Sequence, residues 1–441
     1  MKYIPRIYVW SDIDKEKQNK LLSRSEQKID EVEDRVRTIV EDVRRRGDEA
    51  LIAYAKELDD IDLSGKSPVL FRDDLEAMAE GLDPKVGSAI DRAVGNVRRF
   101  HAEQIERGLR LVEVEPGVLA GERARPLSSA GLYVPRGRGS FPSMLYMLAV
   151  PASVAGVGRI AVATPPESDG SINPAVAYAA KLCGVHEVLR IGGAHAVAAL
   201  AYGTKSVVPV DKIVGPGSVW VAAAQRIVGR HVAVGLPAGP SESMIIADDS
   251  AAPETTAHDL LIEAEHGSDS AAILVACSTD FAEKVAKAVG ELVPKMPEPR
   301  RSFVADVFAS FGSIIVVDSM EEAADVANRY APEHLQIRTA DPWATLERVQ
   351  NAGEVLLGEH TPFSAANYLT GANAVLPTGG SSRAHSAASV RDFVKYTSVV
   401  RVSRTGLDSL ADSIIDLADF EGFYMHAEAI RARKRRDKTE I

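Results

Sequence analysis

HEVLRIGGAHAVAALAYGTKSVVPVDKIVGPG, residues 186–217, is the stretch that decides the fold of this chain. A short apolar run ends in a glycine turn, an alanine-rich helical segment follows, and a second apolar run ends in another glycine turn. Apolar runs that alternate with helical segments are typical of a parallel sheet whose strands are buried on both faces. The stretch therefore predicts a strand, a helix and a second strand of a doubly wound sheet.

The same alternation continues on both sides of this stretch. Upstream, GRIAVATPP has the pattern of a strand and NPAVAYAAKLCG that of a helix, which Gly184 ends. Downstream, strand and helix patterns alternate again over residues 243–358. Neither series carries GxGxxG after its first strand, so the usual dinucleotide fingerprint is absent. The sequence therefore predicts an α/β protein with two tandem, incomplete Rossmann-like domains, each a doubly wound parallel sheet.

Helical patterns flank these two domains. Apolar residues recur at helical spacing on both sides of Gly47, and residues 73–108 are again helical and rich in charge. The predicted division has four parts: an N-terminal helical region that joins the first α/β domain (1–132), the two α/β domains (133–240 and 241–388), and a helical C-terminal tail (389–441).

The composition limits the classes of protein to consider. The chain has 441 residues, 46% hydrophobic and 26% charged, with a net charge of −11. This acidity argues against general binding to nucleic acids or acidic membranes. No apolar run reaches the length of a membrane span, no signal-peptide pattern is present, and two lone cysteines make no disulfide framework. We therefore expect a cytoplasmic protein with no nucleic-acid or membrane partner.

The stretch DLLIEAEHGSDS places Glu263 and His266 three residues apart, on one face of a helix. Glu-x-x-His is the unit of di-iron carboxylate bundles, which need two copies. Among ten histidines, only His266 has a glutamate three residues before it, so the di-iron interpretation is disfavoured. A solvated helix end and one arm of a mononuclear metal site both stay open.

A second cluster, RYAPEHLQI, places Glu333 and His334 side by side where a helix ends and a strand begins. We expect this junction at or near the C-terminal rim of the α/β layer. An adjacent acid and imidazole suit proton transfer at neutral pH. The alternative is a histidine that caps the helix beside a surface glutamate.

Two further stretches hold candidate residues. EGFYMHAEAI carries Glu421 and His426, whose spacing of five places them on different helix faces, so a solvated tail is the alternative interpretation. LPAGPSESMIIAD places Ser241 in a tight turn before a strand. The chain has no GxSxG elbow, which argues against a serine hydrolase.

Taken together, these segments resemble the histidinol dehydrogenase family over residues 25–430. The motifs that carry the resemblance occur in one order along the chain: RRRGDEAL, GLYVPRGRGSFPS, IGGAHAVAALAYGT, IVGPGSVWVAAAQRIVG, PAGPSESMIIAD, DLLIEAEHGSDSAAILV, APEHLQI, AGEVLLGEHTP, NYLTGANAVLPT, SVRDFVKYTS and EGFYMHAEA.

The resemblance implies an enzyme with one Zn²⁺ per subunit that uses two NAD⁺ in succession. Such an enzyme oxidises a primary alcohol to an aldehyde and then to a carboxylate, with L-histidinol as the default substrate. It also implies a homodimer with intertwined C-terminal tails, which would bring His426 across from the partner. The cofactor side is then the 133–240 domain, and the metal and catalytic side the 241–388 domain.

Residue roles follow from the same resemblance. His334 matches the general base that takes the hydroxyl proton as hydride leaves for NAD⁺, and Glu333 matches the base that activates water to attack the aldehyde. The remaining matches are zinc ligands at His266 and His426, substrate contacts at Ser241 and Glu421, and a cofactor contact at Tyr133.

Two departures from the family pattern compensate for each other. The family's zinc ligands are Gln, His, Asp and His, whereas this chain has Glu263 at the Gln position and Asn367 at the Asp position. The set still has two imidazoles, one carboxylate and one amide. We therefore predict a working zinc site formed by Glu263, His266, Asn367 and His426, with its carboxylate moved onto the helix.

Other departures affect the cofactor and the substrate. His195 and Ser218 replace a Gln and an Asn at cofactor-contact positions, and Ala374 replaces a His of the substrate pocket. Arg136 stands where the family usually has Gly, and an extra Arg can favour the 2′-phosphate of NADP⁺. Two alternatives to histidinol oxidation therefore stay open: a paralogue acting on another small polar alcohol, such as a sulfonated or amino diol, and a non-catalytic relative that binds metal or ligand.

Overall fold

The computed structural model describes four stretches of the chain: residues 4–25, 29–106, 108–136 and 139–439, with side chains to residue 435. They divide into two compact units. The first is made of Met1–Ile105 and Leu127–Phe393, and the second of Glu106–Pro126 and Val394–Ile441. Each unit is thus assembled from two separate segments of the chain.

The strands of the described residues, in chain order, are β1 (Ile7–Val9), β2 (Val69–Phe71), β3 (Leu109–Glu115), β4 (Val118–Pro126), β5 (Ser129–Tyr133), β6 (Arg159–Ala163), β7 (Glu187–Leu189), β8 (Lys212–Val214), β9 (Ala233–Val234), β10 (Glu242–Ala247), β11 (Ala271–Ala276), β12 (Gly312–Val316), β13 (His334–Arg338), β14 (Glu354–Leu357) and β15 (Val394–Val402).

The α-helices of the same residues are α1 (Lys15–Leu21), α2 (Ile29–Arg46), α3 (Asp48–Leu58), α4 (Arg72–Ala79), α5 (Pro84–Ala102), α6 (Pro142–Ala155), α7 (Pro174–Cys183), α8 (Gly193–Tyr202), α9 (Val219–Val228), α10 (Pro253–Ile262), α11 (Thr279–Leu292), α12 (Arg300–Ser310), α13 (Met320–Tyr330), α14 (Pro342–Leu346), α15 (Phe363–Tyr368), α16 (Arg404–Phe420) and α17 (Tyr424–Thr439). Among the described residues, no helix is both long and apolar enough to cross a membrane.

The first unit contains two six-stranded sheets of matching topology. One has the order β2-β7-β6-β5-β8-β9, in which all pairs are parallel except the edge pair of β2 and β7. The other has the order β1-β12-β11-β10-β13-β14, and all its pairs are parallel. In each sheet the first strand of the βα series, β5 or β10, lies in the middle. The next strands are added on one side of it and the later ones on the other side, as in a Rossmann half.

The continuous apolar runs of the sequence are explained by burial on both sheet faces. Every residue of β10 and of β11 is buried, because helices cover both faces of the sheet. Strand β5 is buried throughout in the same way. The predicted class, two tandem Rossmann-like sheets with flanking helices, is confirmed. The predicted domain boundaries stay predictions.

The N-terminal region is less helical than its sequence predicts. Helices α2 and α3 lie on either side of Gly47 as expected, but β1 is an edge strand of the second sheet and β2 an edge strand of the first. The predicted helix over residues 73–108 ends at Ala102, and the hairpin of β3 and β4 follows it. Three-residue edge strands carry too little periodicity to be recognised, because their partners rather than their own pattern determine them.

The second unit also corrects one prediction. Residues 389–441 were expected to be helical, yet β15 pairs antiparallel with β4 over nine residues before α16 begins at Arg404. Its sequence VKYTSVVRV is rich in β-branched residues, which favour extended chain. The helical tail from about residue 405 is confirmed by α16 and α17.

Candidate active site

The candidate catalytic and metal residues of the first unit gather at one edge of the second sheet. Ser241 directly precedes β10, Glu263 and His266 form a 3₁₀ turn shortly before β11, and Glu333 and His334 lie at the start of β13. All strands of this sheet are parallel, so their amino ends share one edge. The expectation that Glu333 and His334 lie at the C-terminal rim is therefore wrong, because a helix-to-strand junction falls at the amino ends of the strands.

Three of these side chains and Asn367 of α15 form a contact cluster that we call the donor cluster: Ser241, Glu263, His266 and Asn367. Glu263 Oε2 lies 3.1 Å from His266 Nδ1, and Asn367 Nδ2 donates to Glu263 Oε1 over 2.8 Å. The Ser241 hydroxyl oxygen lies 3.0 Å from the same His266 nitrogen. The 3₁₀ turn explains the first contact, because residues three apart lie above one another there.

The chemistry of the donor cluster fits a zinc ion. Glu263 is fully buried, and its Oε2 makes no aligned hydrogen bond within the described residues although His266 is near. Burial alone would raise the pKa of Glu263, but the imidazoles of His266 and His334 and the hydrogen bond from Asn367 outweigh it and lower that pKa. An ionised, buried carboxylate oxygen beside an imidazole and an amide is a donor set that Zn²⁺ accepts.

The described part of the chain shows no group of three or more His, Cys, Asp or Glu side chains arranged to hold a metal. The donor cluster contains only two such side chains, since its third and fourth members are an amide and a hydroxyl. The fourth predicted ligand, His426, belongs to the second unit, where it is exposed on α17.

His334 is held between two carboxylates. Its Nδ1 lies 2.6 Å from Glu354 Oε1, and its Nε2 lies 3.8 Å from Glu333 Oε1. Glu333 Oε2 in turn accepts from the backbone N–H of Glu242 over 2.8 Å. The side chains of His334 and Glu354 are 4% and 9% exposed. An acid and an imidazole are thus kept adjacent and shielded from water, and the proton-transfer role of the pair stays a prediction.

This environment shifts both pKa values upward. Burial raises the pKa of Glu333, and the nearby carboxylates of Glu263 and Glu242 add to the rise while His334 opposes it. For His334, burial works to lower the pKa, but Glu263, Glu333 and Glu354 together outweigh it and raise the pKa. Perturbed, mutually coupled groups of this kind are typical of functional sites.

The backbone before this pair is constrained. Ala331, directly after α13, has a φ of 55°, which is the left-handed region that a residue with a Cβ seldom adopts. The chain thereby turns sharply through Pro332 into Glu333 and His334. Backbone strain of this kind persists where the surrounding structure holds it, often at functional sites.

Sequence reasoning missed three charged residues that support the site. Glu354 contacts His334, and Glu242 accepts from the backbone N–H of Gly379 over 2.9 Å and lies 3.2 Å from the guanidinium of Arg24. That guanidinium is 3.9 Å above the Tyr330 ring. The signal available in the sequence was a glutamate at the first position of an otherwise apolar strand, which occurs at both Glu242 and Glu354.

The predicted cofactor residues lie at the first sheet. Tyr133 ends β5 and accepts a hydrogen bond from the backbone N–H of Gly193 at the start of α8, over 2.9 Å. Ser218 is exposed directly before α9, in the turn that follows β8. Strands β5 and β8 are neighbours at the point where the series reverses, and in this fold ligands bind in the crevice at the carboxyl ends of such strands.

That crevice depends on one glycine. Gly215 has a φ of 134°, and a Cβ at this position would lie 2.1 Å from the Tyr133 carbonyl oxygen. No other residue fits there without moving the backbone, so the glycine turn lets the two loops approach closely.

His195 and Arg136, the other two departures of the cofactor side, both lie beside carboxylates. His195 is fully buried in α8, and its Nε2 lies 3.3 Å from Asp59 Oδ2 without an aligned hydrogen bond, so its side chain would have to leave this position to touch a cofactor. Arg136 donates to the Pro166 carbonyl over 2.6 Å and forms an ion pair with Glu167. The cofactor role of His195 stays a prediction.

Two further residues singled out from the sequence are Ala374, in the first unit, and Glu421, in the second. Ala374 packs against the core of the first sheet, half-buried. Glu421 directly follows α16 in the second unit, is exposed like His426, and stays a predicted substrate contact.

Two doubly wound parallel sheets, one with a glycine-lined switch-point crevice and the other with a buried acid–imidazole pair, are the arrangement of a dehydrogenase. The family described as histidinol dehydrogenase matches residues 22–434 of the chain. The chain therefore belongs to the histidinol dehydrogenase family. It is an enzyme, an oxidoreductase that acts on CH–OH donors.

Relatives cover nearly the whole chain. A histidinol dehydrogenase from Synechocystis sp. is 45% identical over 97% of this chain and 99% of its own length. A histidinol dehydrogenase homolog from Colwellia psychrerythraea is 41% identical over 98% and 97%, and homolog 2 from Mesorhizobium japonicum is 44% identical over 95% and 96%. The crystal structure of histidinol dehydrogenase from Elizabethkingia anophelis matches with a TM-score of 0.93 at 33% identity, covering 99% of both chains.

Proposed function

We propose that this protein is a zinc- and NAD-dependent dehydrogenase that oxidises a small polar primary alcohol to a carboxylate through an aldehyde. The default substrate is L-histidinol, which would give L-histidine and place the enzyme in histidine biosynthesis in the cytoplasm. The observation that carries the proposal is the buried pair of Glu333 and His334 beside the donor cluster at the amino edge of the second sheet.

Each of the two oxidations has its own proton acceptor in this chain. In the first, His334 Nε2 takes the hydroxyl proton while the carbinol carbon gives a hydride to NAD⁺, which leaves an aldehyde and NADH. In the second, Glu333 takes a proton from water as the water oxygen bonds to the aldehyde carbon, and the hydrate gives its hydride to a second NAD⁺. Zinc held by Glu263, His266, Asn367 and His426 of the partner subunit would bind and orient the alcohol.

Substrate identity is the finer part of the proposal. The Synechocystis relative is named histidinol dehydrogenase and the Mesorhizobium relative a homolog, at 45% and 44% identity, so similarity does not separate the two functions. The presence of Ala374, where the family resemblance implies a substrate-pocket histidine, favours the alternative of a paralogue that oxidises a sulfonated or amino diol. A non-catalytic relative would have no use for the coupled pair of Glu333 and His334.

NAD⁺ reduction by the zinc-loaded protein tests the function. With L-histidinol we expect two NADH per alcohol consumed, because each oxidation releases one hydride. Turnover of a sulfonated or amino diol, with none of L-histidinol, would establish the paralogue instead. If the zinc-loaded protein fails to reduce NAD⁺ with L-histidinol and also with every sulfonated or amino diol tested, the proposed activity is refuted.

We propose NAD⁺ rather than NADP⁺ as the cofactor because Arg136 is already paired. Its partner Glu167 follows β6, the second strand of the Rossmann order, where NAD-binding sheets place an acidic residue on the ribose hydroxyls. A carboxylate there would repel a 2′-phosphate, and the ion pair keeps the Arg136 guanidinium from receiving it.

Replacing Glu167 by Gln should therefore shift binding toward NADP⁺. We expect the ratio of the Kd for NADP⁺ to the Kd for NAD⁺ to fall by at least about tenfold, since juxtaposed like charges cost several kcal/mol. Calorimetric titration measures both constants without turnover. Glu187→Gln is the matched control, because Glu187 pairs with Arg159 at the opposite edge of the same sheet. An unchanged ratio in Glu167→Gln would contradict the assignment.

We also propose that the enzyme is a homodimer joined through the second unit. That unit exposes large apolar side chains on both its strands and its helices, with Phe420 90% exposed. The set comprises Leu109, Val112, Val114, Val400, Leu417, Phe420, Tyr424 and Met425. Apolar patches of this extent mark association surfaces, and sedimentation equilibrium should show a dimer of the 47.3 kDa chain.

A further inference from the structure

Glu354 and His334 face each other across two neighbouring strands. They are paired residues in the parallel register of β13 and β14, so both side chains project from the same sheet face. The Nδ1–Oε1 distance is 2.6 Å, which is shorter than a neutral hydrogen bond and is in the direction expected when one partner is charged. We infer that Glu354 is a positioning residue that fixes the ring orientation and the tautomer of His334; the inference rests on the base role proposed for that histidine.

The hydrogen bond determines which nitrogen can act. An ionised carboxylate only accepts hydrogen bonds, so Nδ1 must carry the hydrogen that Glu354 receives. The lone pair of a neutral ring is then left on Nε2. That nitrogen is the one facing Glu333, 3.8 Å from its Oε1. Glu354 thereby directs the basic nitrogen of His334 toward the carboxylate with which it divides the proposed reaction.

The backbone anchors Glu354 in this position. Its N–H donates to the Glu333 carbonyl over 3.0 Å, and a Cβ on the preceding Gly353 would lie 2.5 Å from that carbonyl oxygen. The start of β14 is therefore pressed against the start of β13, which only a glycine at position 353 permits. On the other side of the ring, buried Phe363 meets His334 edge-on at 5.8 Å between centroids. The imidazole is thus confined on two sides.

Gln at position 354 keeps the shape of the Glu side chain but is neutral, so it no longer fixes the tautomer of His334. Gln can accept from Nδ1–H through its oxygen, but it can also donate its NH₂ to an unprotonated Nδ1, which moves the ring hydrogen to Nε2. In that second tautomer the lone pair is on Nδ1, where the Gln amide occupies it, and Nε2 has none to accept the hydroxyl proton. Glu354→Gln should therefore lower kcat for alcohol oxidation by about 10²-fold, the lower end of the usual contribution of a general base.

Two readouts separate positioning from simple structural support. With the aldehyde supplied directly, where Glu333 is the base, Glu354→Gln should retain kcat within about threefold of the unsubstituted enzyme, and KM for the alcohol should change far less than kcat. In ¹⁵N-histidine-labelled protein, at a pH above the raised pKa of His334 where the ring is neutral, the His334 ring should give the Nδ1–H pattern before substitution and lose it in Glu354→Gln. The signal is assigned from its absence in His334→Phe. Glu354→Asp, which keeps the carboxylate, should recover part of the alcohol activity.

Glu359→Gln is the matched control, since it removes the same charge just beyond the other end of β14 from a partly exposed side chain. Normal alcohol turnover in Glu354→Gln, an unchanged ring pattern, or equal loss in both oxidation steps would overturn the inference. If Glu354→Gln does not fold, the Glu354→Asp ring spectrum and its alcohol-to-aldehyde rate ratio decide in the same way. The ring spectrum needs no turnover, so it tests the positioning role of Glu354 even if the enzyme oxidises no alcohol. A failure to oxidise any alcohol would refute only the proposed function.

Discussion

The Glu263→Gln variant should purify without zinc, and adding Asn367→Asp to the same chain should restore the metal. The first exchange leaves two imidazoles and two amides, with no carboxylate to balance the cation. The second returns one carboxylate to a position whose present side chain hydrogen-bonds Glu263 over 2.8 Å. We expect the loss in zinc affinity of the single variant to exceed the roughly 10–100-fold that removal of an outer-shell partner costs.

The contact between the two exchanged positions makes this test specific. Carboxylate and amide form one hydrogen-bonded pair, and exchanging them reverses donor and acceptor while the net charge of the set stays at one negative unit. Asn367→Asp alone would place a half-buried carboxylate beside the buried one of Glu263, so this variant should keep zinc and lose stability when the metal is chelated.

Metal content after dialysis, with chelator competition for affinity, measures the outcome. Glu265→Gln is the matched control, because it removes a carboxylate from the same 3₁₀ turn outside the donor cluster. A double variant that binds zinc no better than Glu263→Gln, or a Glu263→Gln variant with full zinc, would refute the relocated carboxylate.

Replacing His334 by Phe should abolish oxidation of the alcohol and spare oxidation of the aldehyde. Phe keeps a planar ring in a buried position but has no nitrogen to take the hydroxyl proton. The expected loss is about 10²–10⁴-fold in kcat for the alcohol, the usual contribution of general base catalysis. Glu333→Gln should show the reverse, because its amide cannot take a proton from the attacking water.

Separate assays of NADH formation from the alcohol and from the aldehyde check both variants. His258→Phe is a control on an exposed histidine of α10, and it should leave both rates unchanged. Alcohol turnover retained in His334→Phe, or parallel losses in both steps for the two variants, would show that the proton transfers are not divided as proposed.

The secondary structure could be predicted from the sequence where the elements are long and buried. Most strand and helix patterns from residue 158 to 358 were recognisable because most of the strands are covered on both faces and most of the helices present an apolar stripe. Strand β9 and the helices α12 and α14 were not predicted. Strands β1 and β2 were missed, since three residues at a sheet edge have no period of their own. The hairpin of β3 and β4 lies within the region predicted to be helical, for a related reason: β3 is exposed along its whole length and has no buried face.

The sequence predicted the types of residue in the candidate site but not the position of the site in the fold. Each short stretch allowed a solvated alternative, and only the combined motifs of the family singled out Glu263, Asn367 and His334. The end of the sheet was predicted wrongly although the order of elements implies it, because Glu333 and His334 stand between a helix and the strand that follows it, which is the amino end of a strand. The pairing of His195 with Asp59 was equally invisible, as it joins segments that are distant along the chain.

The placement of β1 has a consequence for how the protein is made. Residues 7–9 pair with residues 314–316, so the second sheet cannot gain this edge strand until more than two thirds of the chain has left the ribosome. Contacts of such long sequence separation form late and slow the search for the native state. The first sheet can assemble well before then. Strand β1 must therefore stay without its parallel partner until β12 has been synthesised.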